Sequence, residues 1–139
     1  STLYALRGVY AVGATEKATE FMKKYSATRL LGDHVPYAIE AWPEGSQRHL
    51  SAESALYARI ITEGMFGIRP TGMRSFELKP EIPTSWEYAS LKNIRAFGSD
   101  FDVEVKRVAG DKLNVKVSEK GGKTQSFTIK QGKTINVKL

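Results

Sequence analysis

Hydrophobic positions recur at two different periods along this chain. Over residues 2–13, Leu3, Leu6, Val9 and Tyr10 fall on one face of a helix, and Gly13 supplies a stop. A second helix is expected directly afterwards, with Thr15 as its N-cap and the acidic Glu16 in its first turn, where the helix dipole favours a negative charge. Its buried stripe is Ala18, Phe21, Met22 and Tyr25, and Glu16, Glu20, Lys23 and Lys24 face water, Glu20 and Lys24 at ion-pair spacing. So short a connection makes the two helices antiparallel neighbours. Gly32-Asp33-His34 ends the hairpin, and 35–39 runs extended because Pro36 disfavours helix at the residue before it. A third helix is expected over 51–64, capped by Ser51, with Glu53 in its first turn and Ala52, Ala55, Leu56, Ile60 and Ile61 buried. The small residues Ala52, Ala55 and Ala58 let another helix approach closely. Three helices with one apolar side each do not close a core.

From Met65 the period changes to two. Residues 66–72 read as a connector rich in chain breakers, and Phe76-Glu77-Leu78-Lys79-Pro80 as a short strand. Strands follow at 91–97, 101–108, 113–118, 126–130 and 134–139. Phe101, Val103 and Val105 alternate with Asp102, Glu104 and Lys106, and Leu113, Val115 and Val117 repeat the pattern, so each strand has one wet face. Turns at 109–111, 119–123 and 131–133 each hold the glycine a tight hairpin needs. The expected class is therefore α+β: helices over 1–64, then an antiparallel meander over 65–139 forming a sheet or small sandwich.

Composition narrows the chemistry. The 139 residues, 41% of them hydrophobic, suffice for a sizeable core, and no apolar run has the length of a membrane span. There is no cysteine and there are only two histidines, His34 and His49, which excludes thiolate sites and argues against a histidine-rich metal centre; no cofactor is expected. The net charge of +6 arises wholly downstream, since 1–64 carry seven basic and seven acidic residues and 65–139 carry fourteen and eight. There the lysines alternate with Val, Ile and Phe, as on the wet face of a sheet, so nucleic acid is not the expected partner. The chain opens with Ser inside an expected helix, so localisation stays open, with a periplasmic or secreted protein the expectation if a leader was removed.

One polar loop gathers chemistry: Trp42-Pro43-Glu44-Gly45-Ser46-Gln47-Arg48-His49-Leu50 sets an indole, an acid, an amide, a guanidinium and an imidazole between two helices. Each has an ordinary explanation beside a functional one. Glu44 is either a solvated loop acid or a catalytic carboxylate; Glu40 and Glu53 are weaker candidates, Glu53 being accounted for by the helix dipole. Trp42 is a core lid or a platform for a ligand ring, and Arg48 neutralises an acid or touches substrate. Trp86 is expected to plug a joint between helices and sheet.

The run Trp42-Pro43-Glu44-Gly45, then His49-Leu50-Ser51-Ala52-Glu53-Ser54-Ala55-Leu56-Tyr57, Gly64-Met65-Phe66-Gly67-Ile68, Phe76-Glu77-Leu78-Lys79-Pro80 and Asn93-Ile94-Arg95-Ala96-Phe97-Gly98 resembles the end of a six-hairpin glycoside hydrolase. That superfamily includes glucoamylase-like and rhamnosidase-like enzymes, in which twelve helices form an (α/α)6 barrel and several members add a β domain. The resemblance implies a C-terminal portion carrying about three of those helices. It implies a carbohydrate substrate and an inverting mechanism, in which two carboxyl groups roughly 6.5–9.5 Å apart protonate the leaving oxygen and activate water. Glu44 would be the general base, with the acid upstream of Ser1. Trp42 would face a sugar ring, and Gln47, Arg48 and His49 would hydrogen-bond hydroxyls. The exposed inner helix faces would meet the rest of the same protein or a second copy. A non-catalytic carbohydrate-binding or protein-interaction domain is the alternative.

Overall fold

The structure, a computed structural model, describes the backbone of residues 2–30 and 51–139 and the side chains of all of these except 51–54. The chain is α+β: three helices, then seven strands in two antiparallel sheets. It divides into two compact units, Ser1–Gly64 and Met65–Leu139.

In the first unit, helix α1 (Thr2–Ala11) buries Leu3, Leu6 and Tyr10. Its end is a Schellman motif. Gly13 takes φ +80°, its N–H donates to the Tyr10 carbonyl at 2.9 Å, and the Ala14 N–H donates to the Val9 carbonyl at 3.2 Å. Helix α2 (Thr15–Arg29) starts one residue earlier than the sequence implies, because the Ala18 N–H already donates to Ala14; Ala14 is the N-cap and Thr15 a buried helical residue. Ala18, Met22 and Tyr25 are buried, but Phe21 is 39% exposed. At 100° per residue it sits on the rim of the stripe, where the ammonium groups of Lys17 and Lys24 lie 4.9 and 5.9 Å from its ring centre. The surface pair between Lys24 and Glu20 forms as the spacing implies, at 2.7 Å.

Helix α3 (Ser51–Arg59) continues into a π-helical turn, Ile60–Met65. The expected buried face is only partly realised. Ile60 is buried, Leu56 and Ile61 are half-buried and Ala55 is exposed, while the Ala52 side chain lies outside the described residues. The wider π turn changes the angular step after Arg59, which removes Ile61 from the stripe that a regular helix would give it. Gly64 belongs to this turn for a steric reason: a Cβ there would meet the Tyr10 ring at 3.0 Å.

The second unit contains strands β1 (Arg69–Gly72), β2 (Ser75–Leu78), β3 (Tyr88–Ala96), β4 (Ser99–Ala109), β5 (Lys112–Glu119), β6 (Thr124–Lys130) and β7 (Ile135–Lys138). Strands β3 to β6 form the expected meander. Strand β7 leaves it, pairing with β2 in a second sheet ordered β1-β2-β7 with Phe76 opposite Val137. Strand β1 lies inside what the sequence presents as a connector; Pro70 is tolerated there because β1 is an edge strand.

Cross-strand pairs Val103–Val117 and Val105–Val115 carry the core of the four-stranded sheet, and all four are fully buried. The inner faces of the two sheets meet through aromatic rings. Phe76 stacks on Phe97 and Phe101 at centroid distances of 4.8 and 5.2 Å. Phe97 does so from an unusual position. It and Gly98 form the two-residue β3–β4 turn, both with positive φ (54° and 68°), the geometry of a type I′ hairpin. A phenylalanine in the left-handed region costs roughly 1–2 kcal/mol, which stacking of the half-buried Phe97 on buried Phe76 offsets.

Candidate functional site

The structure frames the 31–50 segment without describing it. Helices α2 and α3 meet close to both of its ends: Tyr25 stacks on Tyr57 with centroids 6.0 Å apart, and the Ser26 and Tyr57 hydroxyls hydrogen-bond at 2.7 Å. Ser26 also donates to the Met22 carbonyl at 2.7 Å, so its oxygen is left to accept from Tyr57. Leu30 lies four residues beyond Ser26 and Ser51 six before Tyr57, which puts both ends of the segment within roughly 6–9 Å of this contact along the helix axes.

Glu40, Trp42, Glu44, Gln47, Arg48 and His49 lie in that segment, outside the described residues, as does His34. Glu53 is the third residue of α3, with its side chain also outside them. Among the described residues of the helical unit, Glu63 is charged and paired. Glu63 accepts from Arg7 at 2.5 Å and from Arg59 at 2.6 Å. Burial pushes the Glu63 carboxyl up, but the two guanidinium groups outweigh it and hold it below the usual glutamate value. This acid stays ionised and serves as a structural anchor.

In the sheet unit, Arg107 is spent on structure. It donates to the carbonyls of Ile82, Pro83, Trp86 and Gly110 and to Gln131 Oε1, between 2.5 and 3.2 Å. Through these bonds it fixes the 82–86 turn, whose half-buried Trp86 donates its N–H to the Pro83 carbonyl.

A second polar site, which the sequence did not reveal, lies at the β3–β4 end of the larger sheet. Between Leu91 and Ile94 the register slips, so Lys92 and Asn93 together oppose Asp102. This is a β-bulge, with Asn93 in the left-handed region at φ 56°. The bulge turns the Asn93 N–H onto Asp102 Oδ1 at 2.8 Å, and Lys92 lies 3.5 Å from Oδ2. That backbone hydrogen bond, more than the nearby lysine, lowers the Asp102 pKa. Lys92 also pairs with Glu104. Beside the bulge is a cavity of about 220 Å³, lined by Asn93, Arg95, Asp100, Asp102, Ser118 and Lys120 among others. Strand β3 begins at Tyr88, three residues before the expected 91, and the sequence signal for the bulge is that Asn93, a turn-former, interrupts the alternation.

Among the described residues no group of three or more His, Cys, Asp or Glu is placed to hold a metal ion, and no helix is long and apolar enough to cross a membrane. The chain matches no protein-family model, no curated protein and no solved structure.

Proposed function

We propose that this chain is the C-terminal part of a glycoside hydrolase that cleaves oligo- or polysaccharides by inversion, with Glu44 as the general base and the general acid upstream. The observation that carries this reading is the loop frame. In sequence, a segment bearing Trp42, Glu44, Arg48 and His49 lies between two helices that touch through Tyr25, Ser26 and Tyr57, and a two-sheet β unit follows the last helix. That is the order of parts in six-hairpin enzymes. A catalytic base on a loop between rigid helices can be held in a fixed pose toward a sugar while water reaches it. Glu40 and Glu53 are the alternative carboxylates near the same loop.

The helical surface supports the same reading. Ala5, Leu6, Val9, Phe21 and Tyr25 line an open groove of about 510 Å³ between α1 and α2. Neighbouring barrel helices would cover it. A protein-interaction domain is the second reading, and this groove is the observation in its favour.

The test is Glu44→Gln in the native polypeptide, assayed for reducing-sugar release from a panel of oligosaccharides. The expected result is a loss of turnover of about 10²–10⁴-fold, the usual contribution of a general base, with the circular dichroism spectrum unchanged. Unaltered turnover would remove Glu44 from the chemistry, and a native polypeptide inactive on every glycan would favour the interaction domain.

A further inference from the structure

We propose that the outer face of the four-stranded sheet is a second glycan-binding surface, with the bulge cavity holding one sugar unit and the Tyr88 ring carrying the next part of the chain. The lining of the cavity narrows the ligand by elimination. Asp100 and Asp102 share the lining with Arg95 and Lys120, so its charge is balanced although the unit as a whole is basic, while Glu119, opposite Phe101 in the ladder, turns its carboxylate to Ser99 and Arg74. An anionic ligand would meet carboxylates. A metal ion would lack a converging donor set, and an apolar ligand would leave the charged lining unsatisfied. What fits is a neutral molecule that donates and accepts hydrogen bonds over its whole surface, as a sugar does.

The groups are held in place before any ligand arrives. Asp102 is fixed by Asn93 and Lys92, and Asp100 lies 3.8 Å from Arg95. Glu119 accepts from Ser99 at 3.1 Å and lies 3.6 Å from Arg74. Such anchoring lowers the ordering cost of binding.

Continuity along the face extends the site. Tyr88 is opposite Lys106 in the ladder, Ser90 opposite Glu104, and Asp102 opposite Ser118, all on the wet side of the sheet. Four residues of β4 separate the Tyr88 row from the cavity, roughly 13 Å, the span of a short oligosaccharide. Tyr88 is 50% exposed and shares its face of the sheet with Glu104 and Lys92, and Lys92 in turn pairs with Asp102 at the cavity. An apolar ring face flanked by Lys106 and Asn114 offers a sugar both stacking and hydrogen bonds.

The choice of a glycan among neutral polar ligands rests on the glycosidase reading; the site itself does not. The experiment is a titration of the ¹⁵N-labelled 139-residue chain with maltotriose, cellotriose and rhamnose, read amide by amide. The expected result is saturable shifts at Asn93, Asp102, Ser118 and Lys120 in the millimolar range for at least one sugar, weakened about tenfold in Tyr88→Ala, an exposed position whose truncation leaves the fold intact. No shift at those amides with any of the three sugars up to about 20 mM would overturn the proposal. Shifts confined to 42–49 would also overturn it while favouring the catalytic loop. Sheet shifts in a protein whose Glu44→Gln variant keeps full turnover would support the sheet site and defeat the assigned base.

Discussion

The helical and sheet units solve the problem of burying apolar surface in opposite ways. In the sheet unit Val103, Val105, Val115, Val117, Phe76 and Leu78 are fully buried, and two sheets cover one another through the Phe76–Phe97–Phe101 cluster. In the helical unit Leu3, Leu6 and Tyr10 are buried, yet Val12 is 81% exposed and Tyr4 and Phe21 also face outward, with an apolar groove open between α1 and α2. The sheet closes its core with its own strands. Among the described residues the helices bury one face and leave the groove face open, while the exposed apolar side chains of the sheet unit are Met73, Tyr88 and Val108.

If that contrast is right, truncating the sheet core should have the largest effect. Phe76→Ala removes the ring on which Phe97 and Phe101 stack, and an unfolding transition followed by near-ultraviolet circular dichroism should shift by about 3–5 kcal/mol. It should also expose the left-handed Phe97 turn, because the stack that offsets its backbone cost is lost.

A smaller effect is expected from Tyr10→Phe in the helical unit. The Tyr10 hydroxyl hydrogen-bonds Thr19 at 2.8 Å in a buried setting, and its removal leaves the Thr19 hydroxyl without that partner, at about 1–2 kcal/mol in a denaturant titration at 222 nm. An unchanged midpoint would mean that water reaches Thr19.

The smallest effect concerns pH. Glu63 has a folded pKa below its unfolded value of about 4.3, so its contribution is present above that value and is lost as pH falls through the lower folded one. Helical signal should therefore weaken in acid below about pH 4, and Glu63→Gln should flatten the dependence while lowering stability at neutral pH. The same profile in wild type and variant would assign the acid response elsewhere. Asp102 and Glu104 also titrate low, but they lie on an exposed sheet face where solvent and salt screen their pairs, so the sheet should respond less.

The same contrast decides what could be read in the sequence. Strict alternation at Phe101–Val105 and Leu113–Val117 makes the strands legible, because a one-residue slip would put every valine in water. Pairing at a distance is less legible: nothing local in Ile135–Lys138 says that it joins Phe76 rather than β6, and Pro70 hides β1 inside a connector. On the helices, periodicity identifies Leu3, Leu6, Ala18, Met22 and Tyr25, but it puts Phe21 in the stripe when the angular step leaves it on the rim, beside Lys17 and Lys24. It also misses the π turn that displaces Ile61. The loop at 42–50 stands out by composition and by resemblance. The cavity beside Asp102 does not, since it is made by a register shift and a left-handed Asn93 that only the paired strands reveal.

Amide hydrogen exchange tests most directly the proposal that further helices of one longer polypeptide complete the helical unit while the sheet unit is self-sufficient. Exchange would be compared in the 139-residue chain and in the native polypeptide. The account expects β4 and β5 to exchange at the same rate in both, and α1 and α2 to be slower in the native polypeptide by a factor of ten or more, about 1.4 kcal/mol of added protection. Equal protection of α1 and α2 in the two, or a native polypeptide no longer than this chain, would contradict it.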